Sequence, residues 1–251
     1  MISLIHTPWG DISTYTLCVV VGVLAMLGVL HISLKNAENR YAEEVFIIPK
    51  MAVCGISAFL FATLLDALFK FFKYGTFTIG GITFYGGLIG AALTLYIQLM
   101  VSKRKKKTQY SVYEWFNILT PPLVAFHFFG RIGCFFAGCC YGKPTSSIFG
   151  MVFPDNSQYG IIHNGIPLHP TQLYEAMLLL TIFIAILFIK HKFQIYLLCY
   201  AVGRYLIEYL RGDDRGYVSQ YISPAQAVSL CILAVLLIYH VIGLCKRQLK
   251  E

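Results

Sequence analysis

Seven apolar stretches, near residues 13–32, 45–72, 81–101, 112–138, 171–190, 193–211 and 222–244, take up most of this chain. Each is long enough for the ~20 residues that carry an α-helix across a bilayer. Inside hydrocarbon no water satisfies a backbone N–H or C=O, so segments of this length must be helical. The pattern predicts an all-α polytopic membrane protein of about seven transmembrane helices. Composition agrees: 13% of the 251 residues are charged, against ~25% in soluble domains. The longest polar connection, residues 139–170, is too short to form a large core. The reading is therefore a single membrane-embedded domain, residues 1–251, with a small outward-facing cap at 139–170. That cap alternates apolar residues with turn formers, as a partly stranded segment does.

The first stretch lacks the marks of a cleavable signal. Nothing basic precedes it, Asp11 stands just before it, and no small-residue cleavage pattern follows. Basic residues set the expected orientation. With the N-terminus outside, the inner side carries Lys35, Arg40, the run Lys103-Arg104-Lys105-Lys106-Lys107, Lys190, Lys192, Lys246, Arg247 and Lys250. The outer side then carries only Lys70, Lys73, Lys143, Arg211 and Arg215. This asymmetry predicts N-out, C-in, with the net charge of +8 anchoring the inner face on anionic lipid. The basic run is brief and has no interleaved aromatic residues, which argues against nucleic acid as a partner.

Backbone irregularities are also legible. Pro49 near the start of the second stretch and Pro121-Pro122 in the fourth predict kinks or breaks. Glycines at Gly75–Gly90 and in GRIGCFFAG predict non-helical or closely packed backbone at membrane depth.

Charged residues inside apolar stretches carry the chemistry. Arg131 lies deep in the fourth, where a charge costs at least ~2.5–3.5 kcal/mol unless it meets a partner, a cavity or water. Either it holds two helices together through an internal ion pair or it contacts an anion, and in a membrane the ubiquitous anion is lipid phosphate. In the sixth stretch, Arg204, Glu208 and Arg211 follow i, i+4, i+7 spacing and share a helix face. Glu208 can pair with Arg204 structurally, and Arg204 together with Arg131 can clamp one phosphate. In PLHPTQLYEA, Pro170 and Thr171 suit a helix start, with Gln172 and Glu175 in its first turn. His169 is a candidate proton acceptor, whereas His127 and His163 read as satisfied polar groups. Tyr174 fits either a site or an interfacial aromatic belt. In TFYGGLIG, Gly86 and Gly87 after Tyr85 allow a ligand close to the backbone, or Gly86 and Gly90 pack helices. Cys134, Cys139 and Cys140 cluster with Arg131. Without spaced histidines they give a weak zinc signal, so neither a metal nor a cofactor is expected. The other five cysteines read as small buried apolar residues.

In order along the chain, TYTLCVVVG, TFYGGLIG, GRIGCFFAGCCYGKPT, HPTQLYEA and RYLIEYLR resemble the prolipoprotein diacylglyceryl transferase family, from Tyr15 to Arg211. The resemblance implies a seven-helix bacterial inner-membrane enzyme that moves the diacylglyceryl group of phosphatidylglycerol onto a lipobox cysteine thiol, releasing glycerol phosphate. It implies that Arg131 and Arg204 are the essential arginines, and that Tyr15, Gly142, Glu208 and Arg211 bind lipid or shape the site. The motifs add Gly86, Gly87, Cys134, Cys139, Gln172, Tyr174 and Glu175 as candidate substrate-binding residues. Two departures stand out. Tyr85 replaces the histidine of the family's H-G-G-L-I-G motif. Cys134, Ala137 and Cys139 replace the asparagines and glutamate of G-R-x-G-N-F-x-N-x-E-x-x-G, marking a cysteine-bearing branch.

The resulting expectation has Arg131 and Arg204 holding the phosphate, Glu208 orienting Arg204, Arg211 at the outer mouth, and Tyr85 or His169 taking the acceptor proton. A tyrosine, with a pKa of ~10, needs a neighbouring cation to do so near neutral pH; a histidine does not. Two alternatives remain open. One keeps the lipid donor but changes the acceptor to a sugar, polyol or small thiol, with Cys139 or Cys140 forming a covalent intermediate. The other is a phospholipid-binding or transport protein without catalysis.

Overall fold

The computed structural model describes residues 4–7, 10–75, 77, 84–154, 164–212 and 222–248. His163, Arg215 and part of the cap lie outside the described residues, and Tyr85 is described in its backbone alone. A short hairpin, β1 (Leu4–Thr7) with β2 (Gly10–Ser13), precedes α1 (Thr14–Ser33), α2 (Arg40–Tyr74), α3 (Phe84–Arg104) and α4 (Val112–Ala137). Two-residue strands β3 (Met151–Val152) and β4 (Pro167–Leu168) pair antiparallel across the cap, before α5 (Thr171–Leu187), α6 (Lys192–Glu208) and α7 (Pro224–Gln248). The seven apolar stretches coincide with these seven helices, and the chain is an all-α polytopic membrane protein. By length and composition α1, α2, α3, α4 and α7 can each cross a bilayer. The remaining two, α5 and α6, have 17 residues apiece, or about 25 Å at 1.5 Å per residue.

The prolines are accommodated rather than disruptive. Because α2 begins at Arg40, with Asn39 accepting a capping bond from Ala42 N–H, Pro49 falls in its interior. Helix α4 likewise runs continuously through Pro121 and Pro122. Glycines proposed as breaks are mostly helical: Gly86, Gly87, Gly90, Gly130 and Gly133 lie inside α3 or α4. Among the described glycines of these runs, only Gly75 and Gly138, with φ of 68° and 70°, are left-handed terminators.

The packing divides into two units, Leu30–Ile118 and Met1–Val29 with Leu119–Glu251. In the first, α3 lies so close to α2 that a Cβ on Gly86 would clash with the Phe61 carbonyl. A buried Trp115 stacks near Phe46 and Tyr110 and donates from Nε1 to Thr108. In the second unit, α1 rests on α4 where Gly22 meets Phe126 and Phe129 and where Gly133 meets Tyr15. Its core is Val124 of α4, Leu179, Ile182 and Ile186 of α5, and Tyr196 of α6. That core sets three helices side by side and fixes which of their faces meet.

Candidate functional site

One carboxylate organises the polar interior of the second unit. Glu175, in the second turn of α5, is fully buried. Its Oε1 lies 2.9 Å from Arg131 Nη2 on α4 and 4.0 Å from Arg204 Nε on α6. Tyr200 donates to the same oxygen at 2.6 Å, and His127 Nε2 stands 3.9 Å away. His127 is itself held between Tyr196 and Tyr200 at 3.4 and 3.5 Å. A second acid extends the network outward: Glu208 Oε2 sits 2.6 Å from Arg204 Nη1 and 3.9 Å from Arg211 Nε. Three arginines thus alternate with two acids, buried at Glu175, Arg204 and Arg211 and partly buried at Arg131 and Glu208, so each charge has an opposite neighbour.

Arg131 and Arg204, from separate helices, do converge, and the group between them is a carboxylate. Arg131 Nε, Gln172 Oε1 and Glu175 Oε2 are buried and have no hydrogen-bond partner among the described residues. Buried polar atoms are rarely left so, and unpartnered ones mark places where an outside group binds. An arginine fork with an unused Nε still offers donors to a phosphate or carboxylate.

Other expected residues fall into place around this centre, some differently than their spacing suggested. Helix α6 ends at Glu208, so Arg211 does not continue its face; it reaches Glu208 from a β-bridge that pairs it with Gly142. That bridge is tight, since a Cβ on Gly142 would meet the Leu210 carbonyl at 2.6 Å and the His169 carbonyl at 2.8 Å. Thr171 is not a capping side chain: α5 follows Pro170 with no side-chain cap. The buried Thr171 hydroxyl instead donates to the Cys140 carbonyl at 2.8 Å, beside Gln172 Nε2 donating to the Cys139 carbonyl at 2.7 Å. Both side chains are drawn off the helix start to pin the turn after α4. The His169 ring meets the Tyr174 hydroxyl at 3.1 Å.

Cys134, Cys139 and Cys140 lie together, their Sγ atoms all within 4.8 Å of one another. Donating hydrogen bonds to the neighbouring thiols of Cys134 and Cys140, with burial, pushes the Cys139 thiol far above the ordinary range. Tyr15 lies within electrostatic reach of all three thiols and of Arg131. Gly86 and Gly87 lie in the other unit and pack on Phe61, Ala62 and Ala58 of α2. Tyr196, Tyr200 and the integrating role of His127 escaped the sequence reading, although Tyr196, Tyr200, Arg204 and Glu208 form an unbroken i, i+4 ladder that marks them as one face.

Helices long and apolar enough to cross a bilayer, with ion-paired arginines on α4 and α6, define a multi-pass membrane protein. The chain belongs to the prolipoprotein diacylglyceryl transferase family, whose model matches residues 3–242. It is similar to a phosphatidylglycerol–prolipoprotein diacylglyceryl transferase of Clostridium tetani, 36% identical over 162 residues, which are 62% of this chain and 61% of that protein. A second such protein of Clostridium perfringens is 33% identical over 64% of this chain and 62% of its own length. The chain thus spans under two thirds of these two relatives. A third, from Clostridium botulinum, is 30% identical across 95% of this chain and 96% of its own.

Proposed function

We propose that this chain transfers the diacylglyceryl group of phosphatidylglycerol to the thiol of a prolipoprotein's lipobox cysteine, releasing glycerol phosphate. The observation that carries the reading is the meeting of Arg131 and Arg204 at Glu175, with Arg131 Nε left for an incoming acceptor atom. Glu175 keeps the two guanidiniums in register, and the lipid phosphate takes the donors that Glu175 does not use. The acceptor thiolate attacks the glycerol carbon that bears the phosphoester. A C–S bond forms, the C–O bond breaks, and the phosphate leaves as a monoester anion. Positive charge fixed beforehand beside that oxygen, away from water, stabilises the transition state more than the ground state. Glu208 orients Arg204, and Arg211, bridged to Gly142, closes the network toward the cap. His169, paired with Tyr174, takes the acceptor proton in preference to Tyr85. Tyr15, Cys134, Cys139, Gln172 and Tyr174 line or shape the lipid path, whereas Gly86 and Gly87 serve the packing of α3 on α2.

The protein works as a single domain in the bacterial cytoplasmic membrane. Its N-terminus is outside and its C-terminus inside, an orientation that rests on the basic-residue asymmetry. Purified protein incubated with labelled phosphatidylglycerol and a lipobox peptide tests the reading directly. Release of glycerol phosphate that depends on the peptide's cysteine supports it. Lipid binding without release would instead identify a carrier.

A further inference from the structure

The three clustered cysteines are not used by the arginine chemistry, and their setting is that of a built site. Cys134 is three residues after Arg131 in the last turn of α4. Gly138 then turns left-handed, and Cys140 follows with φ of 65°, a conformation that side chains other than glycine rarely adopt. The consequence is convergence: three Sγ atoms, drawn from a helix end and the turn after it, lie within 4.8 Å of one another. The turn is held by two fully buried side chains, Thr171 on the Cys140 carbonyl and Gln172 on the Cys139 carbonyl. Strain retained in a turn that is pinned from outside is a mark of a functional arrangement.

We propose that Cys134, Cys139 and Cys140 bind one Zn2+ ion, whose fourth coordination position takes the acceptor cysteine thiol; this rests on the transferase reading above. Tetrahedral zinc with sulfur at ~2.3 Å needs S···S separations of about 3.8 Å, so the thiols have at most about 1 Å to close. Three protein ligands with one exchangeable position is the arrangement of catalytic rather than structural zinc. Three thiolates and Zn2+ sum to −1, and the neighbouring guanidinium of Arg131, shared with Glu175, offsets part of that charge. Loading releases three cysteine protons to solvent. Coordination of the acceptor thiol frees a fourth, because a metal-bound thiol is deprotonated outright, and His169 takes that proton. The zinc-held sulfur then attacks the glycerol carbon, and the C–O electrons leave with glycerol phosphate. The metal keeps its oxidation state throughout. A metal-made thiolate also reduces the need for a strong base at position 85, where this chain carries tyrosine.

Chelator-stripped, full-length protein in lipid nanodiscs, titrated with Co2+ as a spectroscopic stand-in, decides the matter. One Co2+ per chain is expected, with thiolate-to-metal charge transfer and the visible bands of a tetrahedral ion. Cys134→Ser, Cys139→Ser and Cys140→Ser should each remove the signal. A combined serine variant of Cys18, Cys54, Cys199, Cys231 and Cys245 should keep it. A lipobox peptide should shift the bands, while its cysteine-to-serine version should not. Zinc-reloaded protein should transfer about a hundredfold faster than stripped protein at pH 7, the scale of a lost proton-transfer catalyst. Stripped protein should recover rate as pH rises toward the thiol's own ~8.5. Absent or non-stoichiometric binding, a signal that survives the three single variants, or equal activity with and without metal would overturn the proposal. If metal-loaded protein released no glycerol phosphate, the transferase reading would fall instead, and the cobalt spectra would still report on the metal site alone.

Discussion

Glu175→Gln takes the only buried acid from between Arg131 and Arg204 and leaves two guanidiniums facing a neutral amide. Breaking a buried pair by removing one partner costs about 3–5 kcal/mol. The variant should melt well below the parent and lose transfer. Arg131→Ala leaves the opposite imbalance, but Arg204, His127 and Tyr200 still surround Glu175. It should insert in the membrane normally and release no glycerol phosphate; substantial residual turnover would remove the arginine clamp. Tyr200→Phe deletes the 2.6 Å bond to Glu175 together with the longer 3.5 Å contact to His127 Nε2. A hydrogen bond to a charged group contributes about 1.5–3 kcal/mol, so a partial loss of stability and rate is expected. The graded order, Tyr200 milder than Glu175, is the informative outcome, and thermal unfolding in detergent reads it.

The junction of α6 with the cap makes a further demand on one residue. Gly142→Ala places a methyl against the Leu210 and His169 carbonyls, neither of which can move without breaking the bonds from Lys143 and Gly142 N–H. Overpacking of this kind costs about 1–3 kcal/mol, and here it also displaces Arg211 from Glu208. Activity should therefore fall further than the melting temperature alone explains, as a comparison of transfer rate at a temperature where both proteins stay folded will show. The helices themselves were legible in the sequence, because hydrocarbon leaves a 20-residue apolar segment no alternative conformation. Arg131, Arg204 and Glu208 were legible for the related reason that a charge at depth needs a partner. The identity of that partner was not. Glu175 looked like an ordinary residue of a helix's first turns, and only the packing of α5 between α4 and α6 brings it between two arginines. Pro49, Pro121 and Pro122 do not break their helices, since α2 and α4 each run on through them. The hairpin β1–β2 was missed since four-residue strands carry too little alternation to register.

Orientation in the membrane follows from charges spread over the entire chain rather than from any one site. The run Lys103–Lys107 spans the last turn of α3 and the connection after it, and the cap presents Ile148 at 93% and Phe149 at 64% exposure. Each positive charge near an anionic leaflet contributes about 1 kcal/mol, so five consecutive ones outweigh the scattered bases on the other side. Translocating the basic run is costly, whereas translocating a cap with few charges is not. In the proposed N-out orientation the exposed apolar tip of the cap faces the outer leaflet. A cysteine placed at Ile148 should react with a membrane-impermeant maleimide in intact cells, and one at Lys106 only after permeabilisation. The reverse pattern would turn the whole protein over, putting Arg211, Gly142 and the mouth of the arginine network on the inner side. A lipobox cysteine presented from the outer leaflet could then not reach it, so the labelling result constrains the acceptor as directly as it constrains the topology.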